Sequence, residues 1–562
     1  MKKKWEFYKS NDELVDKISE KFKISKLVAT VLVNRNIIDE EAISIFLNPT
    51  RNDFHDPFLM PDMDKAVDRI MKAIESNEKT IIYGDYDVDG ITSITVLKKF
   101  LSERGLEVDY YIPNRLTEGY GLNKDAIKEI ADKGYSLIIT VDCGISSIEE
   151  VDYAYELGME VIVTDHHEPL DKIPNALAVI DCKRADSKYL YNGLAGVGVA
   201  FKLTQAISQK YGLDNKEFLK YLDIVCVGTI SDIVPLIDEN RVIAKLGLIL
   251  LSQTKNIGLK SIIESSGYKV VNSTAVSFGI APRINACGRM GHETDALDLF
   301  LTTDYKKAQE LTNILNGYNK ERQTIEKSIY EEAIRIINTG DYKDKNTLVI
   351  GAEGWHHGVI GIVASKITDL YFKPTILLSY EGDEAKGSGR SIPGFDLHNA
   401  LCESSEYLEK YGGHEMAVGL SLKRKNVDDF KKTFDKIAKD NHTEDIQPIL
   451  RIDKEITLKD INVENVKSLL LLEPYGEANK MPLFVYRNLR IDSIRELSEG
   501  KHIKLTLKDK NTIIEAIGFN MGEYRNEFLI GDKIDVAGYL EINSFNGVES
   551  VQINVKDIRK SY

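Results

Sequence analysis

The sequence predicts an α/β protein with a parallel-sheet domain, a long helix, a smaller α/β domain and a C-terminal β-barrel. Three observations support this prediction. Strand-like and helix-like segments alternate between residues 80 and 185, which is typical of βαβ units. An unbroken helical pattern runs from 304 to 337, and short alternating strands fill the chain from 449 onward.

Length and composition narrow the possible classes of protein. A chain of 562 residues is too long for one core, so several domains are expected. It has no apolar run of the roughly 18 residues that a membrane helix needs, and no signal-type segment. Its five cysteines form no CxxC pair. These features predict a protein of the reducing cytoplasm with no membrane partner. A net charge of −15 argues against coating of duplex nucleic acid through the overall field.

The first two parts of the chain are an N-terminal helical extension, residues 1–60, and a sheet domain, residues 61–303. The predicted strands of the sheet are 80–83, 108–112, 137–141, 161–164 and 178–180. Four of them are followed by polar residues that are candidates for chemistry: Asp85, Arg115, Asp142 and the triplet Asp165-His166-His167. If these strands are parallel, the four groups meet along one edge of the sheet, where α/β proteins bind ligands.

The remaining parts follow from changes in pattern. A connecting helix, residues 304–340, would be about 50 Å long at 1.5 Å per residue. A second α/β domain, residues 341–448, has predicted strands at 347–350 and 375–379 and glycine-rich stretches near 354, 387 and 412. Predicted strands at 502–508, 512–519 and 533–540 indicate a small barrel over residues 449–562.

Three carboxylates alternate in the turn between the first strand and its helix. Asp85, Asp87 and Asp89 are so close that they repel one another and are hard to keep ionised without a cation. Hard oxygen ligands suit Mg²⁺ or Mn²⁺. The alternatives are a solvated acidic turn and a Ca²⁺ loop. The residues at 92–94 do not supply the further ligands of an EF-hand.

The other strand ends offer complementary groups. His166 can ligate a metal through a neutral imidazole, and His167 can bind a phosphate or act as an acid. Asp165 can orient one of the two rings from behind. Asp232 stands in an apolar segment where an unpaired carboxylate would be costly to bury. Metal ligation would explain it, and so would an ion pair with an arginine.

Together these residues form a set large enough for two divalent cations with one bridging carboxylate, for which we predict Asp142. Two-metal sites catalyse phosphoryl transfer. The set consists of Asp85, Asp87, Asp89, Asp142, His166 and Asp232.

The motifs resemble those of a known superfamily. The run Gly84-Asp85-Tyr86-Asp87-Val88-Asp89-Gly90, followed later by Asp165-His166-His167, resembles the DHH phosphoesterase superfamily. Within it, the chain is most similar to the RecJ single-strand-specific exonucleases. Four further stretches carry this likeness: Ile112-Pro113-Asn114-Arg115, Pro282-Arg283-Ile284-Asn285-Ala286, Ser388-Gly389-Arg390 and Gly412-Gly413-His414.

The resemblance implies a DHH catalytic domain, a long helix, a DHH-associated domain and an OB-fold. It implies catalysis by Asp87, Asp89, Asp142, His166, His167 and Asp232, with Asp85 as a ligand or close to one. It implies that Arg115, Ser388 and Arg390 hold a 5′-phosphate, with Arg283, Asn285 and His414 along the substrate cleft. One departure is Tyr83, which replaces a histidine that many DHH proteins carry, so that Asp85 would take that role.

The resemblance also implies an activity and partners. The chain is expected to be a monomer that degrades single-stranded DNA from 5′ to 3′ with two Mn²⁺ or Mg²⁺ ions, in DNA repair and recombination. A RecQ-type helicase and a single-strand-binding protein are the expected protein partners. Two alternatives are a phosphodiesterase of short or cyclic dinucleotides, and a non-catalytic replication scaffold. The extra barrel disfavours the first alternative, and retention of the ligands disfavours the second.

The predicted barrel has a local charge opposite to that of the chain. Residues 481–510 contain seven basic and four acidic side chains. Aromatic side chains beside basic ones suit single-strand binding, although about half of them must fill the barrel core. The candidates for stacking are Phe484, Tyr486, Phe519, Tyr539 and Phe545.

Overall fold

The computed structural model describes residues 3–510, 512–545 and 547–561. The chain forms two compact units. The barrel unit comprises the chain up to Asp53, Pro235–Lys245 and the chain from Pro448 onward. The two-sheet unit comprises Phe54–Val234 and Leu246–Gln447. No helix among the described residues is both long and apolar enough to span a bilayer.

Helices dominate the first 79 residues, and from residue 80 the strands and helices alternate as predicted. The chain begins with β1 (Lys4–Phe7), α1 (Asp12–Phe22), α2 (Lys26–Asn34), α3 (Glu40–Leu47) and α4 (Met63–Ser76). It continues with β2 (Thr80–Gly84), α5 (Val88–Ser102), β3 (Val108–Tyr111), α6 (Lys124–Asp132), β4 (Leu137–Val141), α7 (Ile148–Glu156), β5 (Glu160–Thr164) and β6 (Ala178–Ile180).

A helical region and a second sheet follow. The helices are α8 (Gly196–Lys210), α9 (Lys216–Leu219), α10 (Leu222–Ser231), α11 (Asp238–Leu251), α12 (Ile257–Ser266), α13 (Ala281–Met290), α14 (Glu293–Leu301) and α15 (Tyr305–Thr339). Next come β7 (Leu348–Glu353), α16 (His357–Tyr371), β8 (Thr375–Glu381), β9 (Glu384–Arg390), α17 (Leu397–Glu403), β10 (Leu408–His414), β11 (Ala417–Lys423) and α18 (Val427–Asp440).

The chain ends in strands, three of which are 13 or 14 residues long. They are β12 (Ile449–Ile452), β13 (Lys454–Glu455), β14 (Phe484–Leu497), β15 (His502–Asp509), β16 (Thr512–Gly518), β17 (Lys533–Phe545) and β18 (Val548–Lys560), with α19 (Val463–Ser468) between β13 and β14.

The first sheet confirms the predicted parallel arrangement. Its strands lie in the order β3-β2-β4-β5-β6, and every neighbouring pair is parallel. β2 and β4 are buried along their whole length, which explains their unbroken apolar runs. α5 lies against β2 and packs on α8 and α10.

The second sheet has more strands than the pattern predicts. Its order is β10-β11-β9-β8-β7, with only β7 and β8 parallel. The glycine-rich stretches near 387 and 412 are strands, although glycine disfavours strands in general. In β9 a Cβ at Gly387 would lie 2.6 Å from Leu378, and one at Gly389 would lie 2.7 Å from Val418. Close packing therefore requires these glycines.

The barrel unit confirms the predicted C-terminal barrel and adds to it. β14, β15, β16, β18 and β17 form a closed sheet, because β14 also pairs with β17. The N-terminal segment is helical as predicted, but β1 is a strand that the pattern does not predict, and it pairs in parallel with β12. Val28 and Leu32 of α2 share one core with barrel residues such as Phe484 and Leu507. The domain boundaries at 60, 303, 340 and 448 stay predictions.

Replacing two helical glycines of the two-sheet unit with alanine should change the stability of the protein in opposite directions. A Cβ at Gly258 in α12 would lie 1.8 Å from the carbonyl oxygen of Leu299, whereas one at Gly317 in α15 would meet nothing within 4 Å. Gly317→Ala should therefore stabilise the protein by about 0.5–1 kcal/mol. Gly258→Ala should destabilise it by about 1–3 kcal/mol.

Thermal or urea unfolding of both variants beside the wild type measures this difference. A Gly258→Ala protein at least as stable as Gly317→Ala would show that α12 does not approach α14 as described.

Candidate active site

The carboxyl ends of β2, β4 and β5 bring the predicted polar residues together. Gly84 pairs with Val141, and Val141 pairs with Thr164. The next residue of each strand is Asp85, Asp142 or Asp165, so three carboxylates leave the sheet from one row. The structure thus confirms that these strand ends meet at one edge of the sheet.

The acidic turn is fixed by the helix that follows it. Asp87 is the N-cap of α5, and its Oδ1 accepts the backbone N–H groups of Asp89 at 2.9 Å and Gly90 at 3.1 Å. A Cβ at Gly90 would lie 2.3 Å from the carbonyl oxygen of Asp85, so the turn closes only with glycine there. The α5 N-terminus therefore sets the spacing of the carboxylates.

A second helix holds Asp89. Its Oδ2 accepts the Gly196 N–H at 2.6 Å, and its Oδ1 accepts the Val197 N–H at 2.8 Å, both at the start of α8. The positive end of a helix dipole favours a carboxylate at that place. A Cβ at Gly196 would lie 2.6 Å from Oδ1 of Asp142, which leaves room only for glycine.

His166 lies among three carboxylates. Its Nε2 is 3.2 Å from Oδ1 of Asp142, 3.7 Å from Oδ2 of Asp232 and 3.8 Å from Oδ2 of Asp89. Asp142 itself has a left-handed backbone, with φ of 59°. Asp232 makes no ion pair with an arginine among the described residues, and its place beside His166 favours the metal reading that the sequence left open.

All six predicted ligands belong to overlapping groups. In each group one ligand atom from every residue lies within 4.8 Å of the others. One group is Asp85, Asp87 and Asp142, and another is Asp89, His166 and Asp232. Asp142 also groups with His166 and His167. Asp142 therefore shares one group with Asp85 and Asp87 and another with His166, which itself groups with Asp89 and Asp232.

Several buried ligand atoms have no hydrogen-bond partner among the described residues. They are Oδ1 of Asp85, both ring nitrogens of His166 and Oδ2 of Asp232. Such atoms are costly to bury unless something binds them. Their chemistry, carboxylate oxygens with one imidazole, fits Mn²⁺ or Mg²⁺.

The electrostatics of the cluster agree with that fit. Burial, and then the neighbouring carboxylates, raise the pKa values of Asp85, Asp89, Asp142 and Asp232 above their usual range. Burial, and then the charge of His167, lower the pKa of His166, so that its ring is neutral and its lone pair is free. The carboxylates therefore need positive charge beside them to ionise together.

Asp165 and His167 form a separate pair. Oδ1 of Asp165 lies 2.7 Å from Nδ1 of His167, and its Oδ2 accepts the Ile145 N–H at 2.9 Å. Although burial opposes it, the hydrogen bond to Asp165 raises the pKa of His167. Tyr120 Oη lies 3.1 Å from the same ring nitrogen and donates to the carbonyl of Asp142 at 3.1 Å. Asp165 thus orients His167 rather than His166.

Tyr83, the departure from the family pattern, lies in the core. Its hydroxyl donates to the carbonyl of Gly121 at 3.0 Å, and its ring stacks on Tyr111. Its hydroxyl is therefore engaged in the core, whereas Asp85 belongs to one of the ligand groups.

A cavity of about 450 Å³ in the same unit contains two of the residues predicted to bind the substrate end. Arg115 and Ser388 line it, with Lys386 and Lys410 beside them. The Arg390 guanidinium donates to Oγ of Ser388 at 3.0 Å. The structure therefore brings Arg115, Ser388 and Arg390 together.

Sequence reasoning missed Arg289, a fourth member of this group. Its guanidinium donates to the carbonyl of Gly358 at 2.8 Å, near the start of α16. Burial, and then the charges of Arg115, Arg322 and Arg390, lower its pKa to about 9. A crowded set of guanidinium groups favours a bound anion. Arg289 lies four residues after Asn285 on α13, so helical spacing was a usable signal.

The other predicted substrate residues have different surroundings. Oδ1 of Asn285 accepts the Val88 N–H at 3.3 Å, which places it at the acidic turn. Arg283 donates to Oδ1 of Asn316 at 2.7 Å and to the carbonyl of Gly279, so protein contacts occupy it. His414 is exposed at the end of β10. Their roles stay predictions.

Three family models match the chain. They are the DHH family N-terminal domain at residues 79–229, the DHHA1 domain at 344–440 and the RecJ OB domain at 452–557. These matches confirm the predicted kinds of domain.

Known proteins match over most of the chain. The single-stranded-DNA-specific exonuclease RecJ of Bacillus subtilis is 39% identical over 99% of this chain and 71% of its own length. The Escherichia coli protein of that name is 32% identical over 88% of this chain and 90% of its own. The crystal structure of RecJ in complex with Mn²⁺ from Thermus thermophilus matches 100% of this chain and 80% of that chain, with a TM-score of 0.86 and 29% identity. The Mg²⁺ complex gives a TM-score of 0.80 and 27% identity, over 100% of this chain and 79% of that chain.

Replacing the shared carboxylate should remove metal binding without unfolding the protein. Mn²⁺ should raise the unfolding temperature of the wild type. At a Mn²⁺ concentration of 100 times Kd, the free energy of unfolding should increase by about 2.7 kcal/mol. Asp142→Asn should lose most of that rise, because both halves of the cluster lose a ligand. In EDTA it should be no less stable than the wild type, since one crowded carboxylate is gone.

Asp223→Asn is the matched control, because Asp223 is a buried carboxylate at the other end of α10 from Asp232. It should keep the Mn²⁺ response. A full Mn²⁺ response in Asp142→Asn would contradict the shared role.

Proposed function

Because this chain belongs to the RecJ family of single-stranded-DNA-specific exonucleases, we propose that it hydrolyses single-stranded DNA stepwise from the 5′ end with two divalent cations. The observation that carries the proposal is the overlap of two ligand groups at Asp142, in the same unit as a basic cavity that Arg115 lines and whose Ser388 accepts a hydrogen bond from Arg390. A non-catalytic scaffold of this fold would not need six convergent ligands.

We propose Mn²⁺ or Mg²⁺ as the cations, as in the two Thermus thermophilus crystal structures. Asp85, Asp87 and Asp142 would hold one ion, and Asp89, Asp142, His166 and Asp232 the other. When bound, such a pair stabilises charge on the phosphodiester oxygens and lowers the pKa of water toward neutral pH.

The chain's own residues position the substrate and provide a proton. His167, held by Asp165 through Nδ1, directs Nε2 away from that contact and carries a raised pKa. Its protonated ring donates to an oxygen of the scissile phosphate. Asp87 and Asp89 are fixed by the N-termini of α5 and α8, so the reaction requires little movement of either carboxylate.

Directionality follows from the charge of the cavity. A terminal 5′-phosphate carries more negative charge than an internal phosphodiester, and Arg115, Arg289 and Arg390 crowd beside Ser388 to receive it. A strand end held there leaves its first linkage at the carboxylate cluster. The polymer is therefore shortened from its 5′ end.

The barrel unit supplies a second grip on the strand. On the outer face of β14 and β15, Arg490 pairs with Lys508, and Arg495 pairs with Lys504. Phe519 is 49% exposed at the end of the adjacent β16. Two of these four cations have acidic partners, because Arg490 lies 3.0 Å from Asp492 and Lys504 lies 2.8 Å from Glu515. A partly basic face with an exposed ring suits sequence-independent binding of bases and phosphates.

The structure separates the five candidate aromatic residues of this unit. Phe484 and Tyr486 are buried in the barrel core, so the expectation that about half serve the core is right. Tyr539 is half-buried. The Phe545 side chain lies outside the described residues. Phe519 is therefore the best candidate for stacking.

We place this activity in DNA repair and recombination in the cytoplasm, as the family resemblance implies. A monomer that works with a RecQ-type helicase and a single-strand-binding protein remains part of the proposal. The helicase would supply the single strands on which such an enzyme acts.

Removing one arginine of the cavity should weaken recognition of the strand end. Arg390→Ala should reduce the preference for a 5′-phosphorylated over a 5′-hydroxyl strand about tenfold or more, because a charge-assisted contact is lost. The measurement is the ratio of kcat/KM values for the two substrates.

Arg424→Ala is the control, because Arg424 is an exposed arginine of the same unit that pairs with Glu353. It should leave the ratio unchanged. An unchanged ratio in Arg390→Ala would place the end-binding pocket elsewhere.

The contribution of the barrel unit to DNA binding should depend on the length of the single-stranded DNA. Phe519→Ala should raise KM on long single strands by roughly fivefold to a hundredfold, since one stacked base contributes about 1–3 kcal/mol. It should have little effect on strands of a few nucleotides. A point substitution is preferable to deletion of the barrel, because α1 and α2 share its core.

Leu529→Ala is the matched control, because Leu529 is 65% exposed on the same unit but is not aromatic. Equal KM changes for Phe519→Ala on long and short strands would exclude the stacking role.

A further inference from the structure

The fifth strand end of the first sheet carries a cationic side chain that the mechanism above does not use. β6 ends at Ile180, and Lys183 follows three residues later. In the sheet order β3-β2-β4-β5-β6, Arg115 follows one edge strand and Lys183 follows the other. The strands that carry Asp85, Asp142 and His166 lie between them.

The turn that carries Lys183 is rigid on both sides. Asp181 is fully buried, and its Oδ1 accepts the Lys183 N–H at 2.7 Å. Cys182 is buried and donates its thiol to the carbonyl of Asn192 at 3.3 Å. These contacts hold the backbone at Lys183 independently of any contact that its side chain makes.

The residue after Lys183 is anchored equally firmly. Arg184 donates to Oδ2 of Asp62 at 2.7 Å, and to Asp186 at 2.7 and 3.0 Å. The Lys183 ammonium is 3.2 Å from Glu168, whose side chain is 72% exposed. An ion pair to so exposed a partner is weak. Lys183 is thus a cation on a fixed turn without a strong partner of its own.

Register places the segment that carries Lys183 next to the segment that carries the two histidines. Thr164 of β5 pairs with Ile180 of β6, so His167 and Lys183 each lie three residues beyond the same row. The charge of Lys183 also reaches the cluster. It adds to the fall in the pKa of His166 that burial and His167 cause, and it opposes the rise in the pKa of Asp232.

We propose that Lys183 binds the phosphate on the 3′ side of the cleaved linkage. This inference rests on the proposed function, in which the 5′ end lies in the arginine cavity on the β3 side. A strand that starts there and crosses the ligands of β2, β4 and β5 continues toward β6. Four strand intervals of about 4.8 Å span roughly 19 Å, which is enough for several nucleotides.

The chemistry of the contact is that of a point charge on a backbone phosphate. Lysine offers three donors without the planar fork of arginine, so it requires no particular base or orientation. A phosphate contact of this kind positions the strand and carries no sequence information. Lys183 would thus hold the downstream strand while the arginine cavity holds its end.

The test combines a protein variant with a modified strand. The substrates are two 5′-phosphorylated single-stranded oligonucleotides, one natural and one with a neutral methylphosphonate at the second linkage, just beyond the cleaved one. Neutralising that linkage should cost the wild type about tenfold in kcat/KM with Mn²⁺. Lys183→Ala should lose about tenfold on the natural strand and little more on the modified one.

Two further variants act as controls. Lys183→Arg keeps the charge and should stay sensitive to the methylphosphonate. Lys210→Ala should behave as the wild type, because Lys210 lies at the far end of α8, about 21 Å from Gly196. The salt dependence of strand binding should also fall by about 0.7 in log–log slope for Lys183→Ala.

The outcomes separate the two proposals. Independent, multiplying losses from Lys183→Ala and from the methylphosphonate would overturn the Lys183 contact. A wild type that does not degrade the natural strand at all would overturn the proposed function instead. The contact is supported if Lys183→Ala loses the methylphosphonate effect while Lys183→Arg and Lys210→Ala keep it.

Discussion

The architecture of the two-sheet unit depends on crowded, buried carboxylates at one sheet edge. Burial raises the pKa values of Asp85, Asp89, Asp142 and Asp232, and the charges of neighbouring carboxylates, Asp87 among them, raise these values further. Only compensating positive charge allows these carboxylates to ionise together. The partial charges at the starts of α5 and α8 supply some of it, and divalent cations would supply the rest. The glycines at 90 and 196 allow this close approach.

In the proposed mode of binding, the same sheet also orders the substrate. An arginine cavity near β3, the carboxylate cluster over the central strands and Lys183 after β6 form a sequence of charge from positive to negative to positive. A phosphate polymer anchored at both ends of that sequence, as proposed, would place one linkage over the cluster. Affinity and reaction position thus arise from one arrangement, because parallel strands collect their carboxyl ends at one edge.

The sequence predicted the first sheet well for a physical reason. Strands buried on both faces read as unbroken apolar runs, so β2 and β4 were found nearly to the residue. β9 was missed because close packing, which no pattern reveals, requires its glycines, and in β10 a Cβ at Gly413 would lie 2.3 Å from the carbonyl oxygen of Ala417. Arg289 was missed although its helical spacing from Asn285 was a usable signal, and Lys183 was missed because its place depends on the order of the strands in the sheet. Asp232 was ambiguous until its distance to His166 was known.

The most direct test of the account is the number and coupling of bound Mn²⁺ ions, measured by titration with electron paramagnetic resonance. If Asp142 joins two ligand groups, the protein should bind two Mn²⁺ ions per chain, and their spectrum should show magnetic exchange through the shared carboxylate. A single ion per chain, or two ions whose spectra are those of isolated Mn²⁺, would contradict the shared-carboxylate cluster.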